Sequence, residues 1–393
     1  MIRKINILIL LLNIAGWISG QSISDFLDRI SHYNPEIQAY GKLLEARKIE
    51  ARTGLTPSDP FVSAGFMPGN TGEAGNKKIW SVNQSFDFPS KYLLQKKINN
   101  STILLAEQEF NLGRLIVMLE AKLAVLDLIY NTKSVNMLKD RRKGYERLKS
   151  AWEKMLDKGE TTIMDYNRIL MELSVVNLEI TQREADIEML REKLRFMSGS
   201  DLNLPVFDEY PIFTVPGVDV LIMEKSEIHP AFLIPEIEYQ VNKQEVNLSK
   251  AGSLPGFQVG YGSEIVNGVA YTGPVAGLSI PLWANSNRIR SALAAADHSA
   301  AVRDATLLKL TSQVRNEYAN LNALQKNISE VVNIINSGGG TKFPDMALYQ
   351  GEISIITYFM YLEAFYQSED RLLKLENDFH KSVAILLDHH LAR

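Results

Sequence analysis

Between residues 90 and 158 the chain carries no proline, and apolar side chains return at Leu112, Leu115, Leu119, Leu123, Leu126 and Tyr130. Steps of three and four place them along one stripe of a helix. After Gly159 the stripe resumes at Ile163, Tyr166, Leu170, Leu173 and Val176, and again at Ile187, Leu190, Leu194 and Met197. Spacing sustained over such a length is a coiled-coil seam, which needs partner helices to cover it. The pattern predicts a long helix over 90–158, a tight turn, and a return helix over 162–199. At 1.5 Å per residue these extend about 100 Å and about 57 Å, and a short helix from Pro35 to Gly54 adds about 30 Å. The two shorter helices, end to end, nearly match the long one, which is the plan of a tube wall.

A second periodicity interrupts the helical one. From Ile79 to Phe88, Trp80, Val82, Phe86 and Phe88 fall on one side and Ser81, Asn83, Ser85 and Asp87 on the other. Period two predicts a strand with an apolar and a polar face. About 9 to 11 residues is also the length of a tilted membrane-spanning strand. Its expected partner is Phe61–Met67, across the polar, glycine-rich loop Pro68–Asn76. A second hairpin is expected from Phe257–Gly262 and Val269–Ile280, joined at Val266-Asn267-Gly268. Four strands per chain cannot close in lipid, where open edges are not tolerated and barrels start at about eight strands. Two chains would supply eight strands and three would supply twelve. The competing reading is a pair of soluble hairpins in a sandwich.

The landmarks occur twice. Asn34-Pro35-Glu36-Ile37 has its counterpart in His229-Pro230-Ala231-Phe232, and Pro60 before Phe61 in Pro255 before Gly256-Phe257, both at a spacing of 195. Phe86-Asp87-Phe88-Pro89 matches Leu278-Ser279-Ile280-Pro281, and Lys158-Gly159-Glu160 matches Gln350-Gly351-Glu352, both at 192. Such constancy marks an internal repeat. Repeat 1 is placed at 21–205 (helix, hairpin 60–88, long helix 90–158, return helix 162–199) and a linker at 206–217. Repeat 2 is placed at 218–393 (helix, hairpin 256–280, long helix 285–348, return helix 353–390). Pro205, Pro211 and Pro216 mark the boundary, since proline does not continue a helix. Ser337-Gly338-Gly339-Gly340 and Pro344 interrupt the second long helix near 337–344. That break reads either as a hinge near a gate or as a local loop without a role.

Composition narrows the function classes. The 393 residues carry a formal charge of −4 and no cysteine. No basic stripe is present to attract nucleic acid, and no disulfide, thiolate site or lipid-modified cysteine can form. Arg3 and Lys4 precede the apolar run Ile5–Ile14, and Ser19-Gly20 follow, which is the order of a secretory signal peptide over 1–20.

Taken together, these pieces resemble the TolC-like outer-membrane efflux family. The resemblance is carried by Asn34-Pro35 and His229-Pro230, by Gly277-Leu278-Ser279-Ile280-Pro281-Leu282, and by Gly159-Glu160 and Gly351-Glu352. It implies a mainly helical fold with a small membrane β-barrel part: a homotrimer with a twelve-stranded barrel in the outer membrane and a helical tunnel in the periplasm. It also implies a periplasmic adaptor, itself attached to an inner-membrane pump, docking at the helical tips. The tip residues that match the family are Gly159, Glu160 and Thr161, with Gly351, Glu352, Ile353 and Ser354; the lipid face of the barrel falls to Trp80, Val82, Phe86 and Phe88. The stretches Leu55–Pro60 and Gly75–Lys78 resemble members associated with heavy-metal cation efflux. The glycine-rich break before the second tip departs from the family pattern.

No phosphate loop, nucleophile elbow or metalloprotease helix occurs, so no enzyme, cofactor or metal is expected. His389 and His390 are adjacent, and neighbouring positions point to different faces of a helix, a poor metal pair. Asp165, just past the first tip, is either a tunnel-facing carboxylate or a plain surface residue. The function expected is the exit duct of a tripartite efflux or type I secretion system. The alternative is a secreted or periplasmic coiled-coil scaffold or adhesion protein without a pore.

Overall fold

The structure, a computed structural model, describes residues 23–70, 75–199, 204–283, 285, 287–338 and 340–392. The expected export signal at 1–20 lies outside the described residues, as do part of the first hairpin loop and Gly339. In chain order the elements are α1 (residues 23–33), α2 (Pro35–Glu50), β1 (Phe61–Met67), β2 (Lys77–Phe86), α3 (Pro89–Asp157) and α4 (Ile163–Met197). Then come α5 (Val218–Ile228), α6 (Pro230–Ala251), β3 (Gly256–Val266), β4 (Val269–Ser279), α7 (Arg288–Ser337), α8 (Lys342–Tyr349) and α9 (Ile355–Leu386). A 3-10 turn, Asp388–Ala392, follows. The chain is mainly helical with one antiparallel sheet.

Two compact units form. One takes in the described residues within Met1–Tyr40, Gly113–Lys225 and Thr311–Arg393; the other takes in those within Gly41–Leu112 and Ser226–Leu310. In the second unit both hairpins join in a single sheet of order β1-β2-β3-β4, because β2 pairs with β3 from Lys77 opposite Val266 to Phe86 opposite Phe257. The β3–β4 hairpin closes through Asn267 and Gly268, both at positive φ (51° and 84°). A two-residue turn of this kind needs that conformation at both positions, which Asn-Gly supplies. Pro274 sits on β4, an edge strand, where proline is tolerated.

Several boundaries differ from the sequence pattern. β2 ends at Phe86, so Asp87 and Phe88 lie beyond it, because Pro89 already opens α3 and the Asp87 amide donates to Tyr92 Oη. β3 continues past Gly262 to Val266, held by β2 on one side and β4 on the other. The predicted helix over 285–348 is two helices, α7 and α8, separated at the glycines. The predicted return helix over 353–390 ends at Leu386, where the chain tightens into the 3-10 turn.

In the first unit, packing is broader than a single seam. Leu115, Val117, Met118, Ala121, Ala124, Val125, Leu126, Leu128 and Ile129 of α3 are all buried, whereas Leu119, Leu123 and Tyr130 are half-buried. A helix covered on more than one side buries more than one stripe. On α4 the buried positions Ile180, Ile187 and Leu194 keep heptad steps.

The duplicated Asn-Pro and His-Pro pairs do the same local work. Asn34 Oδ1 accepts from the amides of Glu36 and Ile37 (2.9 and 3.0 Å), and His229 Nδ1 accepts from Ala231 N at 3.1 Å. Each side chain caps a helix whose first residue is proline, a position where the lost N–H costs nothing. Asn34 Nδ2 also donates to Met197 O at 2.8 Å, which ties the end of α4 to the start of α2.

Candidate functional site

The two faces of the sheet differ in kind. Directly opposed residues share a face, so Val62, Val82, Tyr261 and Pro274 form one row across all four strands. With Phe66, Trp80, Phe86, Phe257, Val259 and Leu278 they make an apolar face left open to its surroundings; Val62 is 69% exposed. Ser263 and Thr272 on this face satisfy one another at 2.8 Å. The other face mixes Ser63, Ser81, Asn83, Glu264 and several glycines with Phe61, Met67, Tyr271 and Val275, and there Lys77 pairs with Glu264 at 2.6 Å and Ser63 hydrogen-bonds to Ser81 at 2.8 Å. A Cβ at Gly260 would lie 2.2 Å from Asn83 Oδ1 and 2.8 Å from Val82 O, so this face has no room there for a larger residue. Of the lipid-face residues expected from sequence, Trp80, Val82 and Phe86 lie on the open apolar face. Phe88 lies past the strand end, half-buried, with its ring 6.0 Å from that of Phe257.

The two tip turns are built alike. Gly159 has φ +74°, its amide donates to Leu156 O at 2.9 Å, and Glu160 N donates to Met155 O at 2.8 Å. Gly351 has φ +76°, with Gly351 N to Leu348 O at 3.1 Å and Glu352 N to Ala347 O at 2.9 Å. This is the Schellman closure of a helix end, and glycine takes the left-handed position without strain. Nothing stands within 4 Å of a Cβ at either glycine, so the backbone conformation, not crowding, asks for it. Each return helix then opens with a side-chain cap: Thr162 accepts from Asp165 N at 3.2 Å, and Ser354 from Thr357 N at 3.1 Å. Asp165 is therefore a capping residue, its carboxylate accepting from the hydroxyls of Thr162 (2.7 Å) and Thr161 (3.4 Å).

Glu160, Glu352 and Ser354 are exposed, while Thr161 and Ile353 are half-buried. Around them lies an apolar rim that sequence reasoning missed: Ile163, Met164, Phe343, Met346, Ile356 and Tyr349, the last 94% exposed. The helical period assigns positions like these to a buried seam, and the period alone does not tell which of them stay exposed. Beneath the turns, Leu138, Tyr145, Ile169, Val176, Tyr358, Phe359 and Leu362 form one core cluster, against which Leu348, Ile353 and Ile355 pack. A cleft of about 1470 Å³ opens beside it, lined by Arg141, Trp152, Asp165, Asp345, Tyr358 and Tyr366 among others.

Polar side chains fix this end of the first unit. Arg141, 7% exposed, holds Asp370 through two hydrogen bonds of 3.1 and 3.2 Å and stacks over the Tyr366 ring at 4.1 Å. Burial pushes the Glu369 carboxyl up, with Arg141 opposing, and pushes the Tyr366 hydroxyl up to about 12. The break at residues 338–341 is pinned from α9: the Tyr361 hydroxyl serves Gly338 O (2.7 Å) and Gly340 O (3.0 Å). The Tyr358 hydroxyl donates to Asp345 at 2.7 Å, and burial raises its pKa, so it stays a donor. Pro344 sits in the first turn of α8, where proline is tolerated.

The adjacent histidines are not isolated. The 3-10 turn sets the rings of His389 and His390 4.3 Å apart, and α5 brings Glu224 to them, so that one donor atom from each lies within 4.8 Å of the others. Glu224 is 165 positions away in the chain, and no local spacing announces it.

The chain has the fold of outer-membrane channels. CusC, solved in connection with folding and transmembrane channel formation, superposes with a TM-score of 0.80 at 13% identity, over 95% of this chain and 94% of that one. The open-state MtrE outer-membrane channel of Neisseria gonorrhoeae gives 0.75 at 11% identity, over 94% and 89%. The outer-membrane protein VceC of Vibrio cholerae gives 0.73 at 15% identity, over 94% of both chains. No protein-family profile and no curated protein sequence matches. Among the described residues, no helix is long and apolar enough to cross a membrane.

Proposed function

We propose that three copies of this chain form an outer-membrane channel, the exit duct of a tripartite efflux or type I secretion system. The observation that carries this reading is the sheet, with an open apolar face, a second face richer in polar residues and glycine, and edges at β1 and β4 that no described strand pairs. In lipid every backbone polar group needs a partner, and only closure removes an edge. Three four-stranded sheets joined edge to edge give a closed barrel, apolar outside and polar within, as membrane barrels require. A scaffold without a pore has no use for such a sheet. The solved channels of this fold support the reading, since their descriptions place MtrE and VceC in the outer membrane.

The helices then extend into the periplasm, and the tips receive an adaptor protein bound to an inner-membrane pump. Support comes from the apolar rim around Gly159–Thr161 and Gly351–Ser354, each of whose residues is more than half exposed. The protein works as a conduit and not as an enzyme. Membrane fractionation with detergent extraction, then crosslinking and planar-bilayer conductance, tests the proposal. A conducting trimer in the outer-membrane fraction is expected, and a soluble monomer recovered without detergent overturns it.

A further inference from the structure

The C-terminal turn carries a set of donors that the conduit reading leaves unused. His389 is fully buried, and its Nε2 lies 3.3 Å from Glu224 Oε2. Its other ring nitrogen, Nδ1, is buried with no hydrogen-bond partner among the described residues, so Nε2 is the atom that faces the carboxylate. His390 stacks edge-on against the same ring and is exposed, and Glu224 is about a third exposed. The cluster therefore opens to solvent on one side while its central imidazole is enclosed. Two imidazoles and one carboxylate suit Zn²⁺, Cu²⁺ or Ni²⁺ and are a poor set for Mg²⁺ or Ca²⁺.

The geometry is close to what such an ion asks. Zn²⁺ binds nitrogen and oxygen donors at about 2.0–2.2 Å in a tetrahedron, which spaces the donors roughly 3.3 Å apart. The Glu224–His389 separation already has this value, and the three donors lie within 4.8 Å. Neighbouring contacts hold the turn in place. Lys225 donates to Asp388 and, at 3.2 Å, to Ile385 O at the end of α9, so its ammonium is engaged beside the cluster.

We infer that Glu224, His389 and His390 form a binding site for one borderline divalent transition-metal ion, which ties the C-terminal turn to α5. The ion takes three protein ligands, with water at the fourth position on the open side. This site is independent of the channel reading, because it requires only the first compact unit.

The test uses the untagged full-length protein, purified in detergent and stripped with a chelator. Calorimetric titration with Zn²⁺ is expected to give one ion per chain and a rise in melting temperature. Co²⁺ in place of Zn²⁺ is expected to give the visible absorption of a four-coordinate site. Since replacing the buried His389 risks misfolding, the variants are His390→Ala and Glu224→Gln, at the two more exposed ligands. Both are expected to melt like the stripped parent without metal, to bind Zn²⁺ more weakly by about 10- to 100-fold or more, and to lose the Co²⁺ bands. No saturable Zn²⁺ binding by the parent, or parental affinity in either variant, overturns the assignment.

Discussion

The sheet and the helical tips both expose large apolar side chains, but the two regions do so in different patterns. On the sheet, exposed apolar residues form rows across one face, and along β2 they alternate with polar ones: Trp80 and Val82 with Ser81 and Asn83. At the tips, Ile163, Met164, Phe343 and Tyr349 stand among a glycine turn, capping hydroxyls and exposed glutamates. A continuous apolar face suits a continuous apolar solvent, which rewards every position equally. A broken apolar rim suits a protein partner, whose contacts are local and mixed with hydrogen bonds. The contrast separates residues needed for the assembly to exist from residues needed for it to connect.

The largest expected effect tests the sheet. Replacing Val82 by Arg puts a charge on the open apolar face, at a cost of about 2–4 kcal/mol per chain near the midplane of a bilayer. Trimers in the outer-membrane fraction are expected to disappear. Asn83→Arg, one residue away on the polar face, is expected to leave them intact. Equal yields from the two variants would reverse the assignment of faces.

The next effect concerns the turns beneath the rim. Gly159→Val and Gly351→Val place a β-branched residue at φ +74° and +76°, a conformation costing an L-residue on the order of 1–2 kcal/mol. Open space around both glycines means that no clash adds to this. Melting temperature is expected to fall modestly and similarly for both. A drop confined to one tip would show that the turns are not equivalent.

How much of this was legible depends on the range of the interaction. The strands, the tip glycines and the Asn-Pro and His-Pro caps are local, and period, φ preference and capping chemistry mark them in the sequence. The pairing of β2 with β3 is not local, since nothing in Lys77–Phe86 names Gly256–Val266 as its partner. The same holds for Arg141 with Asp370 and for Glu224 with His389. The break at 338–341 was visible as glycine and proline, but not the Tyr361 hydroxyl that holds it.

That hydroxyl gives a smaller test. The first tip is reached by one uninterrupted helix, α3, and the second through α7, the break and α8. Tyr361→Phe removes the bond to Gly338 O and Gly340 O, worth about 1 kcal/mol. Hydrogen exchange is expected to quicken at residues 338–349 and to stay unchanged at 150–157. Uniform quickening at both tips would mean that the break is no softer than the continuous helix.

The smallest effect on stability carries the sharpest functional consequence. Glu160 and Glu352 are exposed and belong to no ion pair among the described residues. Changing either to Lys is expected to leave melting and trimer yield within experimental error, since exposed charges contribute little. Export is nonetheless expected to fail, because a reversed charge at a specific interface costs several kcal/mol there. The two readouts must separate: trimers present in the outer membrane, transport lost. Parental export from both variants would move the adaptor away from the glycine turns and leave the apolar rim of Phe343, Met346 and Tyr349 as the surface to probe. Loss of the trimer itself would mean that the tips, like the sheet, belong to assembly, and the contrast between the two regions would fall.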